Sequence, residues 1–239
     1  MPKFFVENIG RFPVSISGDT ASHITHSLRM KPLDEIVLFD GRGYDYFCRI
    51  IEVGDPVVVD LIEKRLNRSE PSVKIHLYQA MPKGSKLETI IQKSVELGVF
   101  SITPVLTSRC ISRPDEKSLC KKFQRYQKIS MEAAQQSGRG MIPQIKQMLS
   151  FEQAVKEMEK SCEKILFYEC ATNKLADCLS EQTEEVSIMI GSEGGFSPDE
   201  VLLAQSHHLQ IASLGERILR CETAPLCALS ILLYHTKNI

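Results

Sequence analysis

The stretch that decides the fold is Val186-Ser-Ile-Met-Ile-Gly-Ser-Glu-Gly-Gly-Phe-Ser-Pro-Asp-Glu200. Its apolar start, residues 186–190, is long enough for a central strand. Three glycines then follow within five residues, which allows a sharp turn and a close approach of the backbone to a ligand. Ser197 can cap a helix, Pro198 suits the first helical position and Glu200 can close a capping box. The stretch therefore predicts a strand, a glycine loop and a helix.

A second stretch, Leu214-Gly-Glu-Arg-Ile-Leu-Arg-Cys-Glu-Thr-Ala224, repeats this arrangement. It predicts a strand over 211–214, a break at Gly215 and a helix from about Thr223. Two glycine loops at neighbouring strand ends are typical of a small-molecule site at the carboxyl edge of a parallel sheet.

The chain between residue 73 and the first stretch alternates between strand and helix patterns. Strands are predicted over 73–80, 100–106 and 165–168, and helices over 85–97 and 119–136. A further helix is predicted to begin at the Ser150-x-x-Gln153 capping box. This alternation predicts an α/β fold with a parallel sheet. The very apolar segment 224–235 is either a core helix or a dimer helix.

Residues 1–70 have a different, strand-rich pattern. Strands are predicted over 35–39, 45–51 and 57–62, with a turn at Asp40-Gly-Arg-Gly43, whereas only residues 21–30 look helical. Short strands with close turns predict a small barrel. The polar, proline-containing segment 67–72 is the best linker candidate. We therefore expect two domains, residues 1–70 and residues 73–239.

The composition is that of an ordinary globular protein, with 43% hydrophobic and 25% charged residues in 239. No apolar run reaches the roughly 18 residues that a membrane span needs, and the first residues meet a charge too early for a signal peptide. We therefore expect a cytoplasmic protein with no membrane partner. The eight cysteines include no Cys-x-x-Cys pair, which predicts reduced thiols and no metal site.

Charge is unevenly distributed along a chain whose net charge is only −1. Residues 73–146 carry 13 basic and 5 acidic side chains, whereas residues 147–239 carry 7 and 14. A basic block of this size is typical of a surface that binds a polyanion such as RNA. The alternative is that these lysines and arginines are merely solvated.

The two glycine stretches resemble those of the 16S rRNA uridine-N3 methyltransferases of the SPOUT superfamily. The loop of that family usually reads Gly-Pro-Glu-Gly-Gly, and Ser192 stands here in place of the proline. Its second motif, Leu-Gly-x-Arg-Ile-Leu-Arg-x-Glu-Thr-Ala, is matched at every fixed position from Leu214 to Ala224. His23-Ile-Thr-His-Ser-Leu-Arg29 is similar to a segment of the family's PUA-like domain.

The resemblance implies a PUA-like RNA-binding β-barrel followed by a SPOUT domain whose parallel sheet carries a deep trefoil knot. It also implies a homodimer that uses S-adenosylmethionine to methylate N3 of a uridine in 16S rRNA, with free rRNA or the small ribosomal subunit as substrate. Two alternatives stay open: a SPOUT methyltransferase acting on another RNA or position, and a non-catalytic RNA-binding factor.

The resemblance also implies site residues. Arg220 is expected to stabilise the uracil anion or to hold a phosphate, and Glu193 to act as a base or to bind donor hydroxyls. Glu222 is a second candidate base, unless it only pairs with Arg220. Contacts with S-adenosylmethionine are expected from Leu166, Ile190, Gly191, Glu193, Gly194, Gly195, Leu214, Gly215, Ile218, Leu219 and Arg220. RNA contacts are expected from Lys3, His26, Arg29, Arg109, Gln136 and Arg139.

Overall fold

The computed structural model describes residues 1–113, 116–180 and 183–239. The chain divides into two compact units. The first comprises Met1–Glu70 together with Ala134–Ile142, and the second comprises Pro71–Ala133 and Pro143–Ile239. The first unit thus includes a segment from the middle of the chain, in addition to the residues expected from the sequence.

The first unit is a small domain built on a five-stranded sheet. Its strands are β1 (Lys3–Phe5), β2 (Val14–Ile16), β3 (Glu35–Phe39), β4 (Tyr44–Glu52) and β5 (Val57–Leu66). They lie in the order β1-β3-β4-β5-β2, and all neighbours except β1 and β3 are antiparallel. Helix α1 (Asp19–Ser22) continues as a π-helix over His23–Ser27. The predicted hairpin therefore forms, and the predicted helix over 21–30 is a short α-helix followed by one turn of π-helix.

A buried ion pair holds the inserted segment in the first unit. The Arg139 guanidinium is 2.6 Å from the Glu70 carboxylate, and the side chain of Arg139 is only 4% exposed. The same carboxylate accepts hydrogen bonds from the backbone N–H groups of Gly140 and Met141, both at 3.0 Å. A Cβ at Gly140 would lie 2.4 Å from that of Asn67, so only glycine fits there.

The second unit is an α/β domain. Its strands are β6 (Lys74–Ala80), β7 (Ser101–Leu106), β8 (Gln144–Ile145), β9 (Leu149–Ser150), β10 (Glu163–Phe167), β11 (Glu185–Ile190) and β12 (Gln210–Ala212). Its helices are α2 (Lys86–Glu96), α3 (Glu116–Gln136), α4 (Phe151–Met158), α5 (Pro198–Ser206) and α6 (Ala224–His235), with a 3-10 turn at Leu175–Cys178. The strand order is β12-β10-β11-β6-β7-β8, and β9 also pairs with β7. Every pairing in this sheet is parallel, which confirms the predicted parallel α/β sheet.

The central strands are apolar on both faces, as expected for a parallel sheet covered by helices. Leu166, Met189 and Tyr78 stand side by side in register on β10, β11 and β6, and belong to the core that also contains residues of α4 and α5. The preceding residues of β10 and β11, Ile165 and Ile188, are fully buried and alternate to the opposite face. Because both rows are buried, the register of the strands is fixed by packing.

Helix α6 is a core helix on its inner side. Ala228, Leu229, Leu232 and Leu233 are buried, and the helix packs against α2 and β6. On its outer side Tyr234 remains 75% exposed. The homodimer and the trefoil knot both stay predictions. No helix in the described ranges is long and apolar enough to cross a membrane.

Capping of α4 gives a direct test of this local structure. Ser150 accepts a hydrogen bond from the backbone of Gln153, whose side chain bonds back to the backbone of Ser150. We predict that Ser150→Ala lowers the free energy of unfolding by about 1 kcal/mol because the first turn loses its cap. Urea denaturation measures this loss. Ser85→Ala is the matched control, since Ser85 precedes α2 without a side-chain capping bond; equal losses in the two variants would contradict the assignment.

Candidate active site

A cavity of about 530 Å³ opens at the carboxyl ends of β10, β11 and β12. Residues 191–196, which follow β11, and residues 213–221, which follow β12, form most of its lining. The wall also includes Tyr168 and Glu169 after β10 and Lys86 at the start of α2. Because these strands are parallel, the segments that follow them all leave the sheet at one edge.

The loop after β11 is compact because it contains glycines. The N–H group of Gly195 donates to the carbonyl of Ser192 at 3.0 Å, and Gly195 has a φ of +63°. A Cβ at Gly191 would lie 3.2 Å from the Cα of Gly195 and 3.3 Å from the ring of Phe196. The side chain of Gln79 donates to the carbonyl of Gly191 at 3.3 Å. The loop therefore has little space for larger residues at these positions.

Glu200 joins this loop to the segment that follows β7. Its carboxylate accepts from the backbone N–H of Ser197 at 2.8 Å and from that of Ser108 at 2.7 Å, and the residue is 8% exposed. Next to Ser108, the guanidinium of Arg109 donates to the carbonyl of Gly194 at 3.0 Å. The capping box predicted for α5 thus also places Arg109 against the glycine loop.

A cluster of charges lies on the cavity wall. The ammonium of Lys86 is 2.9 Å from the carboxylate of Glu193 and 3.4 Å from that of Glu222. The backbone N–H of Lys83 also donates to Glu193, at 3.2 Å. Desolvation favours the neutral acid, but the hydrogen bonds from Lys86 and from backbone N–H groups outweigh it and lower the pKa of Glu193. The bond to Glu193 likewise raises the pKa of Lys86.

Cys221 lies in the same cluster as a neutral thiol. Burial, aided by its hydrogen bond to Glu222, raises the pKa of Cys221 to about 12. Donation by this thiol, at 3.2 Å, is also the main cause that lowers the pKa of Glu222. Glu222 is therefore engaged with Lys86 and Cys221. The sequence also allowed an ion pair between Glu222 and Arg220. Among the described residues no contact joins these two side chains.

The predicted donor-binding residues, with the exception of Leu166, all line the cavity. Leu166 is fully buried in the core, and the wall is formed instead by the next residues of the chain, Phe167, Tyr168 and Glu169. Lys86, which belongs to the basic block and is not among the site residues predicted from the sequence, also lines the cavity. Its position just after the end of a predicted strand, in Lys83-Gly-Ser-Lys86, was the available signal.

The predicted RNA-binding residues fall into two groups. Lys3 and Arg139 have internal partners: Lys3 is paired with Asp45 at 2.7 Å and is 11% exposed, and Arg139 is buried against Glu70. Their placement does not favour phosphate binding, because those pairs would first have to open. The others, Arg109 in the second unit and His26, Arg29 and Gln136 in the first, are exposed.

The cavity combines features that suit a nucleoside-like ligand. Ile190, Leu214 and Leu219 supply apolar surface, while Glu193 and the loop backbones supply polar groups. The hydroxyl of Ser192, a residue of the lining, is buried and has no hydrogen-bond partner among the described residues. Within the described residues no group of three or more His, Cys, Asp or Glu side chains is arranged to hold a metal ion.

Two family models match the chain, one over most of the second unit and one within the first. Residues 69–233 match the sequence model of the RNA methyltransferase domain, and residues 16–60 match that of the RNA methyltransferase PUA domain. The chain belongs to the RNA methyltransferase family. The cavity and its two glycine loops lie within the range of the methyltransferase match, and the five-stranded sheet contains the range of the PUA match.

Named relatives of this family match almost the whole chain. The ribosomal RNA small subunit methyltransferase E of Bacillus subtilis is 33% identical, covering 99% of this chain and 98% of the relative. The protein of the same name from Neisseria gonorrhoeae, solved bound to S-adenosylmethionine, is 30% identical with a TM-score of 0.90, covering 98% and 97% of the two chains. A methyltransferase structure from Legionella pneumophila, also solved with bound S-adenosylmethionine, is 33% identical with a TM-score of 0.89. The match covers 97% of this chain and 96% of that one.

The ion pair of Glu193 predicts a pH dependence of stability. Its pKa in the folded chain lies below the ordinary value of 4.5, so its contribution is present above that value and disappears as the pH falls through the folded pKa. We predict that Glu193→Gln lowers the free energy of unfolding at neutral pH by at most about 1 kcal/mol, because the pair is partly exposed.

Urea denaturation of the variant and of the unaltered protein at neutral pH and well below 4.5 checks this. The difference between the two should shrink toward zero at the acidic end. A difference that stays constant over the whole range would show that the charge of Glu193 contributes nothing to stability.

Proposed function

We propose that this protein binds S-adenosylmethionine in the cavity at the ends of β10, β11 and β12 and methylates N3 of a uridine in 16S rRNA of the small ribosomal subunit. The main support is the coincidence of two observations. The cavity is lined by the same glycine loops that carry the sequence motifs, and solved relatives of nearly identical topology contain this donor.

The residues of the cavity fit such a donor. Ile190, Leu214 and Leu219 offer apolar surface for an adenine ring, and the backbone groups of residues 191–195 and 218–220 offer hydrogen bonds to its polar edges. Glu193 is placed to accept from ribose hydroxyls, although it already accepts from Lys86 and Lys83.

When bound, the donor supplies an electrophilic methyl group on a sulfonium centre. The protein then has to hold the acceptor nitrogen in line with that methyl group, which makes positioning the dominant contribution. The acceptor nitrogen also has to lose a proton. Glu193 and Glu222 have lowered pKa values and are therefore weak proton acceptors. Neither carboxylate stands out as the general base.

Arg220 is the residue best placed to stabilise negative charge on the uracil. It lines the cavity, is exposed, and its guanidinium forms no ion pair with any described residue. A guanidinium stays protonated at all relevant pH values and can bind either an anionic base or a phosphate in a fixed geometry. A cation without an ion pair among the described residues is thus available to the RNA next to the donor site.

Two other functions remain as outcomes of the tests. A methyltransferase of the same family acting on another RNA or position would use the same cavity. A non-catalytic RNA-binding factor would lack donor binding.

Donor binding is tested by calorimetric titration with S-adenosylmethionine. We predict saturable one-to-one binding that is weakened at least about tenfold, or about 1.4 kcal/mol, in Gly191→Ala. The physical reason is that the new Cβ would press on Gly195 and Phe196 and distort the loop. Gly10→Ala is the matched control, since no atom lies within 4 Å of a Cβ built there. Absence of binding to the folded, unaltered protein would favour the non-catalytic reading.

The reaction is tested by methylation of purified 30S subunits and of free 16S rRNA, followed by mass spectrometry of the nucleosides. We predict N3-methyluridine as product, and a fall in turnover of about 100-fold or more in Arg220→Ala, because charge stabilisation by one group is typically of this size. Arg49→Ala, which removes an exposed arginine paired with Glu35, should retain activity. A methyl group on another atom would refute the N3 assignment, and near-normal turnover of Arg220→Ala would refute the role of Arg220.

A further inference from the structure

One lysine contacts both of the loops that form the cavity. Lys86, the first residue of α2, lines the cavity, and its ammonium lies 2.9 Å from Glu193 in the loop after β11. The same ammonium lies 3.4 Å from Glu222, in the segment between β12 and α6. Among the described residues, the ammonium also lies 3.9 Å from the thiol of Cys221. These four side chains form what we call the Lys86 cluster.

The negative charges of Glu193 and Glu222 are balanced by the ammonium of Lys86. Without Lys86, Glu193 would keep only backbone donors such as the N–H of Lys83, and Glu222 would keep the thiol of Cys221. Neither of these partners carries a positive charge. Two carboxylates that lie around one ammonium would then repel each other across the cavity wall. The lowered pKa of Glu193 and the raised pKa of Lys86 agree with this mutual dependence.

We propose that Lys86 is a positioning residue for methyl transfer: its ammonium joins the two glycine loops through Glu193 and Glu222 and so holds the cavity in the shape that binds the donor. This proposal rests on the proposed function for the identity of the donor. It does not make Lys86 a ligand of the donor or of the RNA, because its charge is already balanced by two carboxylates.

Removal of the Lys86 ammonium should affect the cavity loops and not the stability of the whole fold. The side chain of Lys86 is 36% exposed, and partly exposed ion pairs contribute little to the stability of the fold. The segments that it joins are loops, which have no strand or helix ladder of their own to fix them. Loss of Lys86 should therefore loosen the cavity while the sheet and helices remain folded.

Donor affinity provides the first measurement. We expect Lys86→Met to raise the Kd for S-adenosylmethionine about tenfold, a factor that corresponds to 1.4 kcal/mol. The KM for the donor should rise in parallel while kcat at saturating donor changes little, and Lys86→Arg should recover most of the affinity. Lys93→Met is the matched control, since Lys93 lies on the same helix and pairs with Glu96. Unchanged donor affinity in Lys86→Met would overturn the proposal.

A double-variant comparison separates positioning from direct contact with the donor. In a protein that already carries Glu193→Gln and Glu222→Gln, Lys86 has no carboxylate left to join. Adding Lys86→Met to that background should then leave the Kd for the donor unchanged. A further tenfold loss would show that the lysine touches the donor itself and would overturn the positioning role.

Hydrogen exchange of the protein without donor keeps this test independent of the proposed function. Lys86→Met should accelerate exchange of the backbone amides in residues 191–196 and 213–223, and Lys93→Met should not. Equal protection in both variants and in the unaltered protein would refute the joining role, whether or not S-adenosylmethionine binds. Accelerated exchange together with no donor binding by the unaltered protein would leave the joining role intact and refute the proposed function instead.

Discussion

The parallel register of the second sheet is the constraint on which the site depends. Its strands all run in one direction, so the segments that follow β6, β7, β10, β11 and β12 leave the sheet at the same edge. The register itself is set by rows of buried side chains, such as Leu166 beside Met189 and Tyr78. A shift of one residue would move such a row to the opposite face. Core packing therefore determines which loop residues meet in the cavity.

Loops at a sheet edge must satisfy their backbone groups without a ladder of strand hydrogen bonds. Here a few side chains do so over long separations along the chain. Glu200 binds two backbone N–H groups, Gln79 reaches the carbonyl of Gly191, and Arg109 reaches that of Gly194. All of these bonds except the one between Glu200 and Ser197 join two different segments. The cavity is thus held by polar contacts at its rim and by apolar packing beneath it, and the glycines allow the segments to come close enough for both.

The sequence predicted those parts of the structure whose signals are local. The capping boxes at Ser150 and Ser197 form as expected, because a cap depends on residues three positions apart. Contacts between distant residues could not be predicted in this way: Glu70 and Arg139 are 69 positions apart, and Lys86 and Glu193 are 107 apart. Leu166 shows a subtler problem. It belongs to the correct strand, but the cavity is lined from the next residue on, and local sequence does not show where the wall begins.

The uneven distribution of charge along the sequence does not give the distribution of free charge in the folded chain. Part of the basic block is neutralised by carboxylates from elsewhere: Lys86 by Glu193 and Glu222, Lys146 by Glu157, and Arg139 by Glu70. The positive charge that remains for a polyanion is therefore smaller than the count of basic residues indicates. Conversely, Arg220 comes from the acidic third of the chain, yet it finds no ion-pair partner among the described residues and lies open at the cavity. Availability of a cation to RNA is decided by its neighbours in space, so the uncompensated arginines beside the cavity, Arg217 and Arg220, count for more than several paired lysines.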